Sequence, residues 1–94
     1  MDALLDFTGK VAVITGAAQG FGKLLAEELA KRGAKLVISD INETDVKQVA
    51  KDIGLTGADI IALKCDVANK EDCKKQVDTA IAHFGGIDIG VNNA

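Results

Sequence analysis

Tyrosine, tryptophan and proline are absent from this chain, while serine occurs once (Ser39) and histidine once (His83). No block of like charge stands out and the formal net charge is only −3, so the basic footprint that would recruit nucleic acid or an anionic membrane is missing. The apolar runs are strand-sized, well short of the roughly 20 residues that a membrane-crossing helix needs. Residues 1–9 carry Asp2 and Asp6 and no lysine or arginine, and so do not read as a signal peptide. Together these absences set an expectation of a cytoplasmic protein. Cys65 and Cys73 then read as buried thiols in a reducing compartment. His83 adds no third or fourth ligand that would turn them into a metal site.

What is present describes one globular unit. Ninety-four residues make one domain at most. Hydrophobic residues at 48% and charged residues at 27% suit a packed chain rather than a disordered one. The pattern alternates strand and helix. Val11–Thr15 is a short apolar run, suited to a strand buried on both faces, and Gly16 closes it. From Gly20 to Arg32, Phe21, Leu24, Leu25 and Leu29 recur at helical spacing, and Gly33 is placed to stop the helix. Residues 35–40 form the second strand.

The cycle then repeats. Asn42 can cap a helix whose stripe is Val46, Val49, Ala50 and Ile53, ended by Gly54. Residues 60–63 form the third strand. Asn69 caps a third helix, with Glu71 and Asp72 in its first turn. Its expected inward face is Cys73, Val77, Ala80, Ile81 and Phe84, and Gly85–Gly86 ends it. Residues 87–91 make a fourth strand. Right-handed crossovers then give a doubly wound α/β fold with a parallel sheet in the order 3-2-1-4. That is the first half of the Rossmann-type nucleotide-binding fold plus one strand.

The segment 15–22, Thr-Gly-Ala-Ala-Gln-Gly-Phe-Gly, lies between the first strand and the first helix, where a phosphate-binding turn belongs. Gly16 allows the tight turn, Gly20 lets pyrophosphate approach the backbone, and Gly22 lets the helix pack close against the sheet. The helix N-terminus, with Gln19 and Phe21 beside it, offers free N–H groups and a positive dipole end. The alternative is an ordinary glycine-rich turn, and the strand-turn-helix setting argues against it. Asp40 ends the second strand, 18 residues after Gly22. There a carboxylate can accept hydrogen bonds from ribose hydroxyls and repel a 2′-phosphate. No Lys or Arg lies in the glycine loop, and Ile41, Asn42 and Glu43 follow Asp40, which favours NAD over NADP. A solvated strand-end Asp that caps the next helix is the plainer alternative.

With Thr15 ahead of it, the spacing Gly-x-x-x-Gly-x-Gly resembles the glycine motif of the short-chain dehydrogenase/reductase family. Asp66-Val67 resembles the family's adenine-contacting pair, with Asp66 toward the adenine amino group and Val67 against the ring. Asn92-Asn93-Ala94 resembles the family's Asn-Asn-Ala-Gly motif, one residue short, which steadies the central sheet and lines the cofactor cleft. The resemblance runs over residues 7–94, with departures at Phe21 and Gly90, where aliphatic residues are usual.

The resemblance implies an oxidoreductase that exchanges hydride between NAD(H) and an alcohol or ketone. It also implies that residues 1–94 are only its cofactor-binding part, with the catalytic half missing. Family members use a Tyr, a Lys four residues later and a Ser. Without any Tyr, and with Ser39 at the adenosine end, no catalytic residue is assigned here. His83 reads as a solvated surface histidine. Family members commonly form homo-oligomers. The apolar edge Ile87, Ile89 and Val91 is expected to make the 94-residue chain self-associate or leave it marginally stable.

Overall fold

Every side chain of Val11–Thr15 is buried, and such a strand has no solvent face to offer, so it belongs inside a sheet covered on both sides. The computed structural model describes residues 6–93. It places this strand, β1, between β2 (Lys35–Asp40) and β4 (Ile89–Asn92), with β3 (Ile60–Lys64) beyond β2. All the pairings are parallel and the order is β3-β2-β1-β4, as expected. Helices α1 (Gly20–Lys31), α2 (Glu43–Gly54) and α3 (Lys70–Phe84) make the crossovers.

Local chemistry sets the helix ends where the sequence placed them. The Asn42 side chain accepts from the N–H of Asp45, and that of Asn69 accepts from the N–H groups of Glu71 and Asp72. Each satisfies donors that a helix start leaves free. The fourth strand begins two residues later than expected, because Asp88 ties it down from outside the ladder. Its Oδ2 accepts from the Val11 N–H at 2.8 Å and its N–H donates to the Val11 carbonyl.

Alternating side chains divide the sheet into two unequal faces. Ala12, Ile14, Leu36 and Ile38 pack with Ala26 and Leu29 of α1 and Val46, Val49 and Ile53 of α2. Val11, Val13 and Val37 face the opposite way, toward Ala80, with Leu63 and Phe84 at the margin.

Two helices are rotated from the expected stripes. On α1, Phe21 and Leu24 are 63% and 57% exposed. The small residues Gly22 and Ala26 go inward with Leu29 instead, since only small side chains let this helix lie close to the turn before it. On α3, Val77 and Ile81 are exposed and Gln76 is buried with Ala80. The reason is a polar anchor: the buried Ser39 hydroxyl donates to Gln76 Oε1 at 2.7 Å, and a buried hydroxyl without a partner would be destabilising. Satisfying it turns Gln76 down onto β2, while Val77 is left lining the open groove beside β4 with Val13 and Val91.

Among the described residues no helix is long and apolar enough to cross a membrane, and no cluster of His, Cys, Asp and Glu could hold a metal ion.

Candidate functional site

The carboxyl ends of β1, β2 and β3 meet on one side of the sheet, the side where ligands of open α/β sheets bind. The chain after β1 turns through Gly16, whose φ is +64°. A Cβ on Gly16 would overlap the carbonyl oxygen of Asn93, so no other residue fits. Gly22 sits nearly as tightly. A Cβ there would run into the Gly16 carbonyl and stand 2.9 Å from Asn93 Nδ2. Gly22 therefore brings α1 close to the turn and to Asn93, rather than to the sheet surface. The space in front of Gly20 is open.

Hydrogen bonds hold this turn from both sides. On one side the Thr15 hydroxyl donates to Asn92 Oδ1 at 2.9 Å and accepts from the Asn93 N–H at 3.0 Å, while Asn93 Nδ2 donates to the Gly16 carbonyl at 3.3 Å. Register makes this possible, because Thr15 pairs with Asn92 in the β1–β4 ladder. On the other side the Ala17 N–H donates to the Ser39 carbonyl, and the Ala18 N–H donates to Asp40 Oδ2 at 3.1 Å. The other oxygen, Oδ1, accepts from the Asn42 N–H at 2.9 Å. Asp40 is thus a clamp on the loop. The cap of α2 is Asn42, not Asp40.

The start of α1 differs from the other two. Gln19, the residue before it, is extended and makes no side-chain cap, and the first turn carries no acidic residue. Its N–H groups therefore face outward with no side-chain acceptor at the helix's positive end. Beside the turn lies a pocket of about 210 Å³ lined by Gly16, Asp40, Ile41, Cys65, Asp66 and Val67. Ile41 and Val67 are exposed walls, and Asp40 and Asp66 are half-buried. Asp66 Oδ1 accepts from the Ala68 N–H, which keeps its carboxylate at the rim.

The sequence-derived set thus falls on one side of the sheet. Gly16, Asp40, Ile41, Asp66 and Val67 share the pocket. Gln19, Gly20, Phe21 and Gly22 form the adjoining helix start, and Asn92 and Asn93 support the turn from behind. Ala94 lies outside the described residues. Cys65 lines the pocket too, and no motif pointed to it. The side-chain alternation beyond β3 was the one signal for it. A larger hollow of about 570 Å³ on the solvent side of α3, lined by charged residues and His83, touches none of this set. The family model described as short chain dehydrogenase matches residues 10–94.

The chain belongs to the short chain dehydrogenase family.

Relatives agree in sequence and in shape. The chain is 46% identical over 92 residues to 11-beta-hydroxysteroid dehydrogenase A of Sesamum indicum, covering 95% of this chain and 26% of that protein. It is 44% identical over 87 residues to elsinochrome reductase 1 of Elsinoe fawcettii, covering 92% and 33%. The crystal structure of a hydroxysteroid dehydrogenase from Escherichia coli superposes with a TM-score of 0.92 at 40% identity, over 96% of this chain and 38% of that one. A short chain dehydrogenase/reductase from Burkholderia phymatum, solved in complex with NAD, gives 0.87 at 38% identity, over 90% and 30%. The chain therefore spans about a quarter to two fifths of the length of these members.

Proposed function

We propose that these residues hold the adenosine diphosphate half of NAD(H), as the coenzyme-binding part of an oxidoreductase that acts on a small-molecule alcohol or ketone. The observation that carries this reading is the pocket between Asp40 and Asp66, set beside an uncapped helix start. When bound, the coenzyme supplies a nicotinamide that gives or takes hydride at the substrate carbon. The chain's own residues bind and orient. The N–H groups at the start of α1 take the pyrophosphate. The carboxylate of Asp40 takes the ribose hydroxyls through its free lone pairs. Ile41 and Val67 flank the adenine, with Asp66 at its amino group. Asn92 and Asn93, which hold the turn, border the way toward the nicotinamide.

The negative charge at Asp40 and the neutral loop before α1 favour NAD over NADP. No turnover is expected from residues 1–94 alone, since Ser39 is buried against Gln76 and no tyrosine exists.

Calorimetry separates binding from chemistry. ADP-ribose should bind the chain and nicotinamide mononucleotide should give no measurable heat. Binding of nicotinamide mononucleotide without ADP-ribose would overturn the assignment.

A tendency to homo-oligomerise has its own support. Among the described residues β4 pairs only with β1, and the groove beside it, about 300 Å³, is lined by Val13, Val67, Val77, Ile87 and Val91 among others. An open strand edge next to apolar surface favours pairing between chains. Sedimentation velocity is expected to show a mass that rises with concentration, and a concentration-independent monomer would remove the support.

A further inference from the structure

Cys65, just past β3, and Cys73, in the first turn of α3, lie in two segments that hydrogen bonds hold side by side. Side-chain alternation turns Cys65 the same way as Leu63, and Leu63 packs beside Val37, Ala80 and Phe84 on the α3 face. Cys73 stands one helical turn before Gln76, which reaches Ser39 of β2. Ser39 in turn is the register partner of Leu63. Two contacts fasten the segments together. Asp72 Oδ2 accepts from the Asp66 N–H at 3.1 Å, and Cys73 Sγ lies 3.5 Å from the Val67 carbonyl. Each contact joins a neighbour of Cys65 to Cys73 or to the residue before it. Both thiols are free, Cys65 buried and Cys73 half-buried. Burial first, then the nearby Cys73, push the Cys65 thiol above its ordinary pKa.

We propose that Cys65 and Cys73 form a dithiol site that a peroxide oxidises to an intramolecular disulfide, and that closing it weakens nucleotide binding. The second half rests on the nucleotide reading above. Cys73 is the thiol oxidised first, because it lines the solvent-open groove beside β4, whereas Cys65 is enclosed. The Cys73 thiolate attacks one oxygen of hydrogen peroxide. The O–O bond breaks, hydroxide leaves and is protonated to water, and Cys73 becomes a sulfenic acid. The Cys65 sulfur then attacks the Cys73 sulfur. The S–O bond breaks, and the hydroxyl leaves as water with the Cys65 proton. Two thiols lose two electrons and one peroxide becomes two waters. Disulfide geometry brings the Cβ atoms to about 3.8 Å, which draws the segment from Cys65 to Val67 toward α3. That segment forms one wall of the 210 Å³ pocket.

Trypsin provides the test. Cleavage after Lys64, Lys70 and Lys74 puts the cysteines in separate peptides, 65–70 and 71–74. The chain is treated with hydrogen peroxide at several protein concentrations, alkylated, digested without reductant and analysed by mass spectrometry. The two peptides are expected joined, with the loss of two hydrogens, to the same extent at every concentration and separable by reductant. Cys65→Ser should instead leave a sulfenic acid at Cys73 that dimedone traps. Links formed only between chains, or overoxidation of each thiol without linkage, would overturn the site.

Calorimetry with ADP-ribose then reads the coupling. Oxidation is expected to weaken binding about tenfold, equivalent to about 1.4 kcal/mol, with recovery on reduction and no effect of peroxide in Cys73→Ser. Unchanged affinity in the linked chain would overturn the coupling alone. Absence of ADP-ribose binding by the reduced chain would overturn the nucleotide reading, with the disulfide still decided by the peptides.

Discussion

Replacing Gly16 with alanine is expected to remove about 3–5 kcal/mol of stability, in the range reserved for severe single substitutions. Two penalties combine. The residue sits at φ +64°, where an L side chain is strained by roughly 1–2 kcal/mol. The added methyl would also occupy the place of the Asn93 carbonyl oxygen. That oxygen cannot swing away cheaply, because the Asn93 N–H is held by Thr15 Oγ1 and its side chain by the Gly16 carbonyl. Relief therefore requires breaking the β1–β4 junction, and for a small domain worth about 5–15 kcal/mol in all that is a large share. Gly90→Ala is the matched control. Nothing lies within 4 Å of the place its Cβ would take and its φ is not positive, so its effect should stay within about 1 kcal/mol. Urea denaturation of the three chains measures both. A Gly16→Ala midpoint close to that of the unsubstituted chain would mean that Asn93 does not back the turn.

The same turn shows what a sequence can reveal. The strand Val11–Thr15, the caps Asn42 and Asn69, and the glycine spacing are local signals, each legible because a few adjacent residues decide the outcome. The strand order followed from the alternation of elements and the handedness of crossovers. The latch on the turn was not legible as geometry. It joins Thr15 to Asn92 and Asn93 across 77 and 78 residues, and it depends on a register that no local pattern encodes. The asparagines were singled out by resemblance, but their partners emerged only from the pairing of β1 with β4.

Helix rotation was misread for a related reason. A stripe of Phe21, Leu24, Leu25 and Leu29 ranks residues by hydrophobicity, whereas the closeness of α1 to the turn selects for smallness at Gly22, which brings Ala26 inward onto the sheet core. On α3 a single buried hydroxyl, Ser39, outweighed the apolar pair Val77 and Ile81 and brought Gln76 inward. In each helix a close contact set the angle, and exposed hydrophobic side chains were the consequence. An exposed apolar residue is tolerable, but an unpaired buried hydroxyl or a methyl inside a backbone contact is not.

On the proposed reading Asp40 serves both the loop and the choice of coenzyme, and its replacement should separate the two. Its Oδ2 holds the Ala18 N–H and its Oδ1 the Asn42 N–H, so alanine would loosen the loop as well as the site. Asp40→Asn is the better probe, since it keeps the shape and one acceptor while removing the charge. Hydrogen bonds to a charged group contribute about 1.5–3 kcal/mol, so the loss of the carboxylate should weaken NAD binding about tenfold or more. The same change removes the repulsion that a 2′-phosphate would meet at this strand end, so NADP should bind more tightly than before. The NAD-to-NADP preference is therefore expected to collapse from both sides while the chain still folds, its melting temperature falling by about 4–8 °C for each kcal/mol lost from the loop. Calorimetric titration of both coenzymes into both chains gives the ratio directly. If the unsubstituted chain already binds NADP as tightly as NAD, Asp40 is a loop clamp only, and the choice of coenzyme is made elsewhere.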